Sequence, residues 1–219
     1  MGETPTSIAV INRSFWPFYA VVGEALLRFS EDAAARGHKV SVIIQDHMGI
    51  KPRLKQVNRG QGVDFYPCKA LTTSSSGVLL RAIDNLWFMV WVFLVLLKIR
   101  PKLVYISTDP PILVPFIVML YCKLMSAHFI YHLQDIHPAA TNIVVPMYSW
   151  IYKILKKLDC YTMRQAKQLI TITQQMANCM QERATLSDDI HVLDNPAISF
   201  EGIDTTKPKI QGFSFCGNA

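Results

Sequence analysis

SIAVINRSFWPFYAVVGEALLRFSEDAAARGHKVSVII, residues 7–44, decides the fold. Ser7 to Asn12 is a nearly unbroken apolar run, the mark of a strand covered on both faces. An aromatic-rich turn containing Pro17 follows, and then Ala20 to Arg36 sets Val21, Ala25, Leu26, Phe29 and Ala33 at helical spacing on one face. Gly37 stops that helix, and Lys39 to Ile44 opens a second strand. Strand, helix and strand in this order predict a βαβ unit, whose two strands lie parallel because the helix carries the chain back along the sheet.

The alternation continues downstream. Val63 to Tyr66, Leu103 to Ser107, His128 to Leu133, Gln168 to Thr173 and His191 to Leu193 read as further strands. Between them lie a Ser/Thr-rich loop from Thr72 to Ser76, a long apolar helix broken by Pro101, and a helix opened by Asp109-Pro110-Pro111 that contains Pro115. A basic helix from Met147 to Ala166 and a short one over Gln175 to Arg183 complete the set. The expected fold is α/β, a Rossmann-like parallel sheet with helices on both faces, over residues 1–196. Asn195-Pro196 turns into a polar linker, 197–211, and residues 212–219 restart a strand. An orphan strand leaves backbone donors and acceptors unpaired, so this last piece is expected to begin a further domain.

With 51% apolar and 17% charged residues, the chain has the material for one domain with a sizeable core, which argues against global disorder. A formal charge of +6 favours anionic partners, either phosphate groups or a lipid surface. Nucleic acid is set aside because no recognisable binding module accompanies the charge. Cys68, Cys122, Cys160, Cys179 and Cys216 are odd in number and lack close metal-ligand spacing, so they read as reduced thiols, mostly buried. Polar residues up to Ser7 lead straight into the first strand without a signal core, and a cytosolic setting is expected.

Leu86 to Leu97, LWFMVWVFLVLL, ends beside Lys98 and Arg100. A helical membrane span needs about 20 apolar residues. Upstream this run meets Asn85, Asp84 and Arg81, and so falls short. Two readings stand: a buried helix, or one dipping into a single leaflet with Trp87 and Trp91 in the apolar layer. The stretch from Ile112 to Met125, interrupted by Pro115 and Lys123, reads as core. In the basic helix Lys153, Lys156 and Lys157 share one side while Ile151, Ile154, Leu155 and Leu158 fill the other. That separation suits a solvated face or an interfacial helix on an anionic membrane.

Ligands of open α/β sheets bind beyond the carboxyl ends of the strands, so the loops leaving each strand hold the candidates. The first runs from Asn12 to Glu24. Its Gly23 allows backbone to approach a phosphate or sugar near a helix start, and its aromatics Phe15, Trp16, Phe18 and Tyr19 serve either packing or contact. The spacing is not G-x-G-x-x-G, so a dinucleotide site is not supported. The second loop, Gln134 to Pro138, sets Asp135 and His137 two residues apart, where they either position or deprotonate a hydroxyl or cap the next helix. His132 reads as a satisfied core histidine. The third, Thr171 to Gln174, offers Thr173 as a substrate contact or an N-cap.

Taken in order and spacing, INRSFWPFYAVVGEALLRFSEDAAARGHKVSVI, RPKLVYISTDPP, YHLQDIHP, LITITQQMANCMQER, IHVLDNPAIS and FSFCGNA resemble the amino-terminal domain of glycosyltransferase family 4, from Ile8 to Ala219. The resemblance implies the amino-terminal, acceptor-side half of a GT-B fold, in a retaining enzyme that moves a sugar from a nucleotide-sugar donor to an acceptor with no cofactor or metal. FSFCGNA is similar to the start of the second, nucleotide-sugar-binding domain, which is then missing and would leave this piece inactive alone. Carried over, Gly23 lies near the donor phosphates, and Asp135 with Gln134 and His137 faces the sugar and acceptor. Phe15, Glu24 and Thr173 are the further substrate-binding candidates. With the apolar and basic helices, this leads to the expectation of a glycan or lipid-linked acceptor in polysaccharide biosynthesis, met peripherally at the cytosolic face of an anionic membrane. The rival expectations are a noncatalytic membrane-anchoring subunit of a split transferase and a small integral membrane protein.

Overall fold

The seven strands expected between Ser7 and Leu193 join one sheet in the computed structural model, which describes residues 4–17, 19, 21–46, 49–72, 77–139, 148–186 and 189–194. The strands are β1 (Ser7–Ile11), β2 (Lys39–Asp46), β3 (Val63–Lys69), β4 (Leu103–Ser107), β5 (His128–Leu133), β6 (Gln168–Thr171) and β7 (His191–Val192). All pair in parallel, in the order β3-β2-β1-β4-β5-β6-β7. The helices are α1 (Val22–Ala35), α2 (Ile50–Gln56), α3 (Val78–Ile99), α4 (Leu113–Met125), α5 (Ser149–Gln165) and α6 (Gln174–Ala184). The expected linker and following strand, residues 197–219 with Cys216, the Asn195-Pro196 turn, Phe18, and Thr73 to Ser76 lie outside the described residues.

Side chains alternate across a strand, and here the alternation sorts the helices. Ile8 and Val10 of β1 pack with Leu26 and Leu27 of α1 and with Ile50 and Leu54 of α2. Ala9 and Ile11 share the opposite core with Phe88 and Val92 of α3, Val118 and Met119 of α4, Met163 of α5 and Met180 of α6. Helices therefore cover both faces, as expected. The chain changes face after β3, and the strand order reverses between β1 and β4.

Several faces differ from the sequence reading. In α1 the buried stripe is Gly23, Leu26, Leu27, Ser30 and Ala33, whereas Val21 and Phe29 are exposed. The helix is rotated because Gly23 lies against the preceding loop: a Cβ there would meet Trp16 N at 2.4 Å and Phe15 C at 2.6 Å. Gly37 does end the helix, at φ +89°. The segment after β2, whose polar sequence predicts no helix, contains α2, capped by Asp46, whose carboxylate accepts from Gly49 N at 3.0 Å and Ile50 N at 2.7 Å. On α5, Ile154 is exposed with Lys153 and Lys157 and does not face inward. The buried residues of that helix are Asp159, Cys160, Thr162 and Met163.

Helix α3 is 22 residues long, and its Leu80–Ile99 segment is long and apolar enough to cross a membrane by length and composition. The upstream polar residues expected to cut the run short are accommodated because two of them turn inward. Asp84 is buried, and its carboxylate accepts from Gln45 Nε2 at 2.8 Å, Leu71 N at 3.0 Å and Thr72 Oγ1 at 2.7 Å. Asn85 accepts from Arg13 Nη1 at 2.7 Å. Phe88, Val92 and Leu96 follow Asp84 into the core, while Ile83, Leu86, Trp87, Val90 and Leu94 face outward. Trp91, grouped above with Trp87, is instead half-buried, with its indole N–H directed to Tyr66 O at 3.4 Å.

The tight fit at Gly23 has a measurable consequence. Gly23→Ala is expected to lower stability by about 1–3 kcal/mol, the cost of overpacking a site whose neighbours are backbone. Chemical denaturation of the two proteins reads this as a shift in midpoint, and an unchanged midpoint would show that the loop yields freely.

Candidate functional site

The carboxyl ends of β1 and β4 flank the reversal of strand order, the place where an open α/β sheet leaves a crevice. Polar residues knit the two ends together. Asn12 is buried; its side chain accepts from Ser107 Oγ and donates to Ser14 O. Arg13 N donates to Asp109 O and Ser14 N to Asp109 Oδ2, both at 2.9 Å, and Arg13 Nε lies 3.2 Å from Asp109 Oδ1. The next loop is tied in turn, because Gln134 N donates to Thr108 Oγ1 at 3.2 Å. Beyond Asp109 the backbone makes a γ-turn at Ile112 (φ 61°, ψ −65°), closed by Leu113 N on Pro111 O at 2.7 Å. A β-branched residue in this conformation costs on the order of 1–3 kcal/mol. Its buried side chain helps to offset that cost.

Beside this crevice opens a cleft of about 760 Å³, walled by the loops that follow β1, β2 and β3 and by the first turns of α3. Trp16 and Tyr19 supply flat apolar surface, and Arg13, Arg53, Lys69 and Arg81 supply positive charge. Asp46 and Asp84 also line it, but both carboxylates already accept the hydrogen bonds given above.

No protein-family model matches the sequence, and no curated protein matches it either. Solved structures do. HepE of Anabaena, in complex with UDP-glucose, has a TM-score of 0.54 at 13% identity, covering 87% of this chain and 44% of that one. Sucrose-phosphate synthase of Thermosynechococcus elongatus gives 0.56 at 11% identity, covering 85% and 47%. UDP-GlcNAc 2-epimerase of Methanocaldococcus jannaschii gives 0.54 at 14%, covering 86% and 45%. The chain has the Rossmann-like fold of a GT-B domain. It spans about half the length of these structures.

In this GT-B-type domain the candidate residues separate into three groups. Phe15 backs the cleft; it is buried and stands edge-on to Phe65 at 6.2 Å. Gly23 and Glu24 do not reach it. The amide of Gly23 donates to Tyr19 O at 2.9 Å and its open side is filled by the Phe15–Trp16 backbone, so it does not offer a phosphate the free N–H and space read from the sequence. Glu24 accepts from Arg28 Nε at 2.6 Å and from Arg59 at 3.2 Å, which joins α1 to the connection before β3.

Gln134, Asp135 and His137 form the second group, farther along the same edge and outside the cleft. Asp135 is exposed, and His137 is half-buried. Burial lowers the pKa of His137, opposed by the negative charges of Asp135 and Asp109. A neutral imidazole near an exposed carboxylate is suited to relaying or accepting a proton. Thr173 makes the third group: its hydroxyl accepts from Met176 N at 3.2 Å and caps α6. Arg13, Lys69, Arg53, Asp84 and Asp109 were absent from the sequence-derived set. A signal was present, since Arg13, Asp46, Lys69 and Asp109 all sit at or just past strand ends.

His132 also differs from expectation. It is 6% exposed, its Nδ1 pairs with the hydroxyl of Tyr105, and its Nε2 is buried without a hydrogen-bond partner among the described residues. Burial pushes its pKa down to about 4 from 6.5. A histidine whose folded pKa lies below its unfolded value binds its proton more readily unfolded, so it contributes stability above pH 6.5 that is lost as pH falls toward 4. Asp159, pushed up to about 6 by burial against the pull of Arg183 and Tyr131, acts in the opposite sense over an overlapping range. The histidine contribution is isolated by comparing the natural chain with His132→Gln. Between pH 7.5 and 4.5 the natural chain is expected to lose roughly 2 kcal/mol more stability than the variant; parallel stability–pH curves would refute the assignment.

Proposed function

We propose that this chain is the acceptor-side domain of a retaining glycosyltransferase, which moves a sugar from a nucleotide-sugar donor to a lipid-linked or envelope glycan acceptor at the cytosolic face of a membrane. The observation that carries the reading is the position of the cleft. It opens at the carboxyl edge of a GT-B-type sheet, beside the reversal of strand order, and combines aromatic walls with positive charge. Trp16 and Tyr19 offer surface for the apolar side of an acceptor. In this reading Asp135, exposed just past the end of β5, orients a sugar hydroxyl, with His137 assisting. The structures that match are about twice as long, which supports a donor site completed by residues beyond this chain.

Attachment to the membrane is assigned to the layer formed by α3, α4 and α5. These helices pack side by side on one face of the sheet and turn Leu86, Val90 and Leu94, then Leu120 and Leu124, then Trp150 and Ile154 outward. Lys153, Lys156 and Lys157 are exposed among them. Apolar area inserted into a leaflet contributes hydrophobic energy, and each lysine near an anionic surface adds about 1 kcal/mol that salt screens. A transmembrane reading is less well supported, because Asp84 and the core contacts of Phe88, Val92 and Leu96 hold α3 against the sheet.

Three measurements bear on this. By calorimetry the 219-residue chain alone is expected to bind UDP-glucose weakly, and a Kd below about 1 μM would place the donor site within it. In membranes carrying the natural protein, Asp135→Ala is expected to cut incorporation of labelled sugar from its nucleotide into the lipid or glycan fraction by about 100-fold at unchanged protein level. Unchanged incorporation would remove Asp135 from the chemistry and favour a noncatalytic subunit. The purified chain is expected to float with anionic liposomes, less so in high salt, and Leu86→Ser with Val90→Ser and Leu94→Ser is expected to abolish flotation with the fold intact. Absence of flotation with every liposome would end the membrane assignment.

A further inference from the structure

The edge of the sheet opposite the cleft has a chemistry of its own. Because the strands are all parallel, they begin at that edge, and α3, α4 and α5 end there, each joined to the next strand by two or three residues. Backbone bonds set the strand entries in one row. Lys39 N donates to Thr6 O and Lys102 N to Ser7 O, both at 3.1 Å, while His128 N donates to Lys102 O and Lys167 N to Phe129 O, both at 2.9 Å. Lys39, Lys102 and Lys167 are each separated by one intervening strand, so they stand about 10 Å apart along the row. Lys98, Arg100, Lys123 and Arg164, from the ends of the three helices, are exposed beside them.

Among the described residues none of these cations pairs with a carboxylate, whereas Arg13, Arg28, Arg36, Arg59 and Arg183 all do. Lys123 and Arg164 donate to neutral acceptors, Tyr161 Oη and Ala184 O, and so keep their charge uncompensated. The carboxylates of this edge stand at its flanks, Asp64 on β3 and Glu182 and Asp189 next to β7, or are taken, as Asp32 is by Arg36. The helix dipole favours a cation in a last turn, which accounts for Lys98, Lys123 and Arg164. It does not account for Lys39, Lys102 and Lys167, which open or precede strands. The same end of the helix layer is also apolar: Leu94, Leu120 and Leu124 are 55%, 40% and 67% exposed. Leu94 lies one turn before Lys98, and Leu120 and Leu124 bracket Lys123 on α4, which packs against α3. A soluble polyanion would be held by charge alone and has no use for the leucines. Anionic headgroups over a hydrocarbon layer match both.

We infer that the amino edge of the sheet, with the last turns of α3 and α4, is the part of the domain seated on an anionic bilayer, so that the carboxyl edge with its cleft and Asp135 is turned away. The inference rests on the membrane assignment made above and adds which end of the helix layer lies deepest. The ligand edge is then raised by up to about 17 Å, the five residues of β1 at ~3.3 Å each. A lipid-linked acceptor that reaches it carries its sugar on a spacer of that order.

Flotation of the 219-residue chain with liposomes of phosphatidylcholine and phosphatidylglycerol tests this with two pairs of charge reversals that change the net charge equally. Lys102→Glu with Lys167→Glu, at the edge, is expected to lower the bound-to-free ratio at least about tenfold. Lys51→Glu with Lys55→Glu, exposed on α2 across the sheet, is expected to change it less than about twofold. On the liposomes, hydrogen exchange is expected to slow in the turns Arg100–Lys102 and Ser126–Ala127 and to stay unchanged over Asn12–Trp16. Thermal unfolding checks each variant, and Lys102→Gln with Lys167→Gln replaces the edge pair if the reversal destabilises the fold. Equal losses in the two pairs would mean that net charge alone attracts the chain. That result, or protection over Asn12–Trp16 in place of the turns, overturns the inference. Flotation that survives the edge reversal but is lost in Leu86→Ser with Val90→Ser and Leu94→Ser would overturn it and leave the membrane assignment standing. No flotation by the natural chain ends both.

Discussion

One buried carboxylate sets the geometry of this domain. Asp84 sits on the inner face of a predominantly apolar helix, and three donors from β2 and the segment after β3 converge on it. A buried acceptor left without its donors costs on the order of 1–3 kcal/mol, more when it is charged. Rotating α3 about its axis would break all three bonds at once. The rotation that satisfies Asp84 also sends Phe88, Val92 and Leu96 into the core and leaves Leu86, Val90 and Leu94 outside. Hydrophobicity alone would not have chosen, because apolar side chains occupy both sides of the helix.

The second constraint is at the reversal of strand order. Arg13 and Asp109 close the gap between β1 and β4 through side-chain and backbone bonds, and Asn12 with Ser107 closes it one layer deeper. The polar network consumes groups that might otherwise serve a ligand and, in return, holds the cleft wall and the Asp135 loop in a fixed relation through Thr108. Preorganisation of this kind is what positions reacting groups, since a displacement of about 1 Å can cost 100-fold in rate. Asp109 orders the ends of β1 and β4 through its bonds to Arg13 and Ser14.

The alternation of strands and helices was legible because its cause is local: buried strands need continuous apolar runs, and each return helix needs a 3.6-residue pattern. All seven strands were found at sequence level, with ends within a few residues. Orientation was harder to read. The apolar face of α1 came out rotated because the fit of Gly23 against the Phe15–Trp16 backbone is a contact between segments, invisible to periodicity. The same limit applies to Ile154 and Trp91, whose neighbours are set by packing. At the site, the Asp135 loop was marked by its isolated polar residues amid apolar ones, whereas the cleft is assembled from single charged residues at the ends of three strands and one helix, with no spacing to betray it. Glu24 looked available only because its partner Arg59 is distant in sequence.

The anchoring of α3 also bears on how the chain is made. All three partners of Asp84 precede it in sequence, as do β2 and β3, against which the helix packs. Translation delivers roughly 5–20 residues per second, so a docking surface for this helix has left the ribosome before the helix itself emerges. A segment hydrophobic enough to be taken up by membrane-insertion machinery thus meets its own sheet first. Fidelity of targeting then becomes a race between docking and capture, decided by how quickly one aspartate finds Gln45.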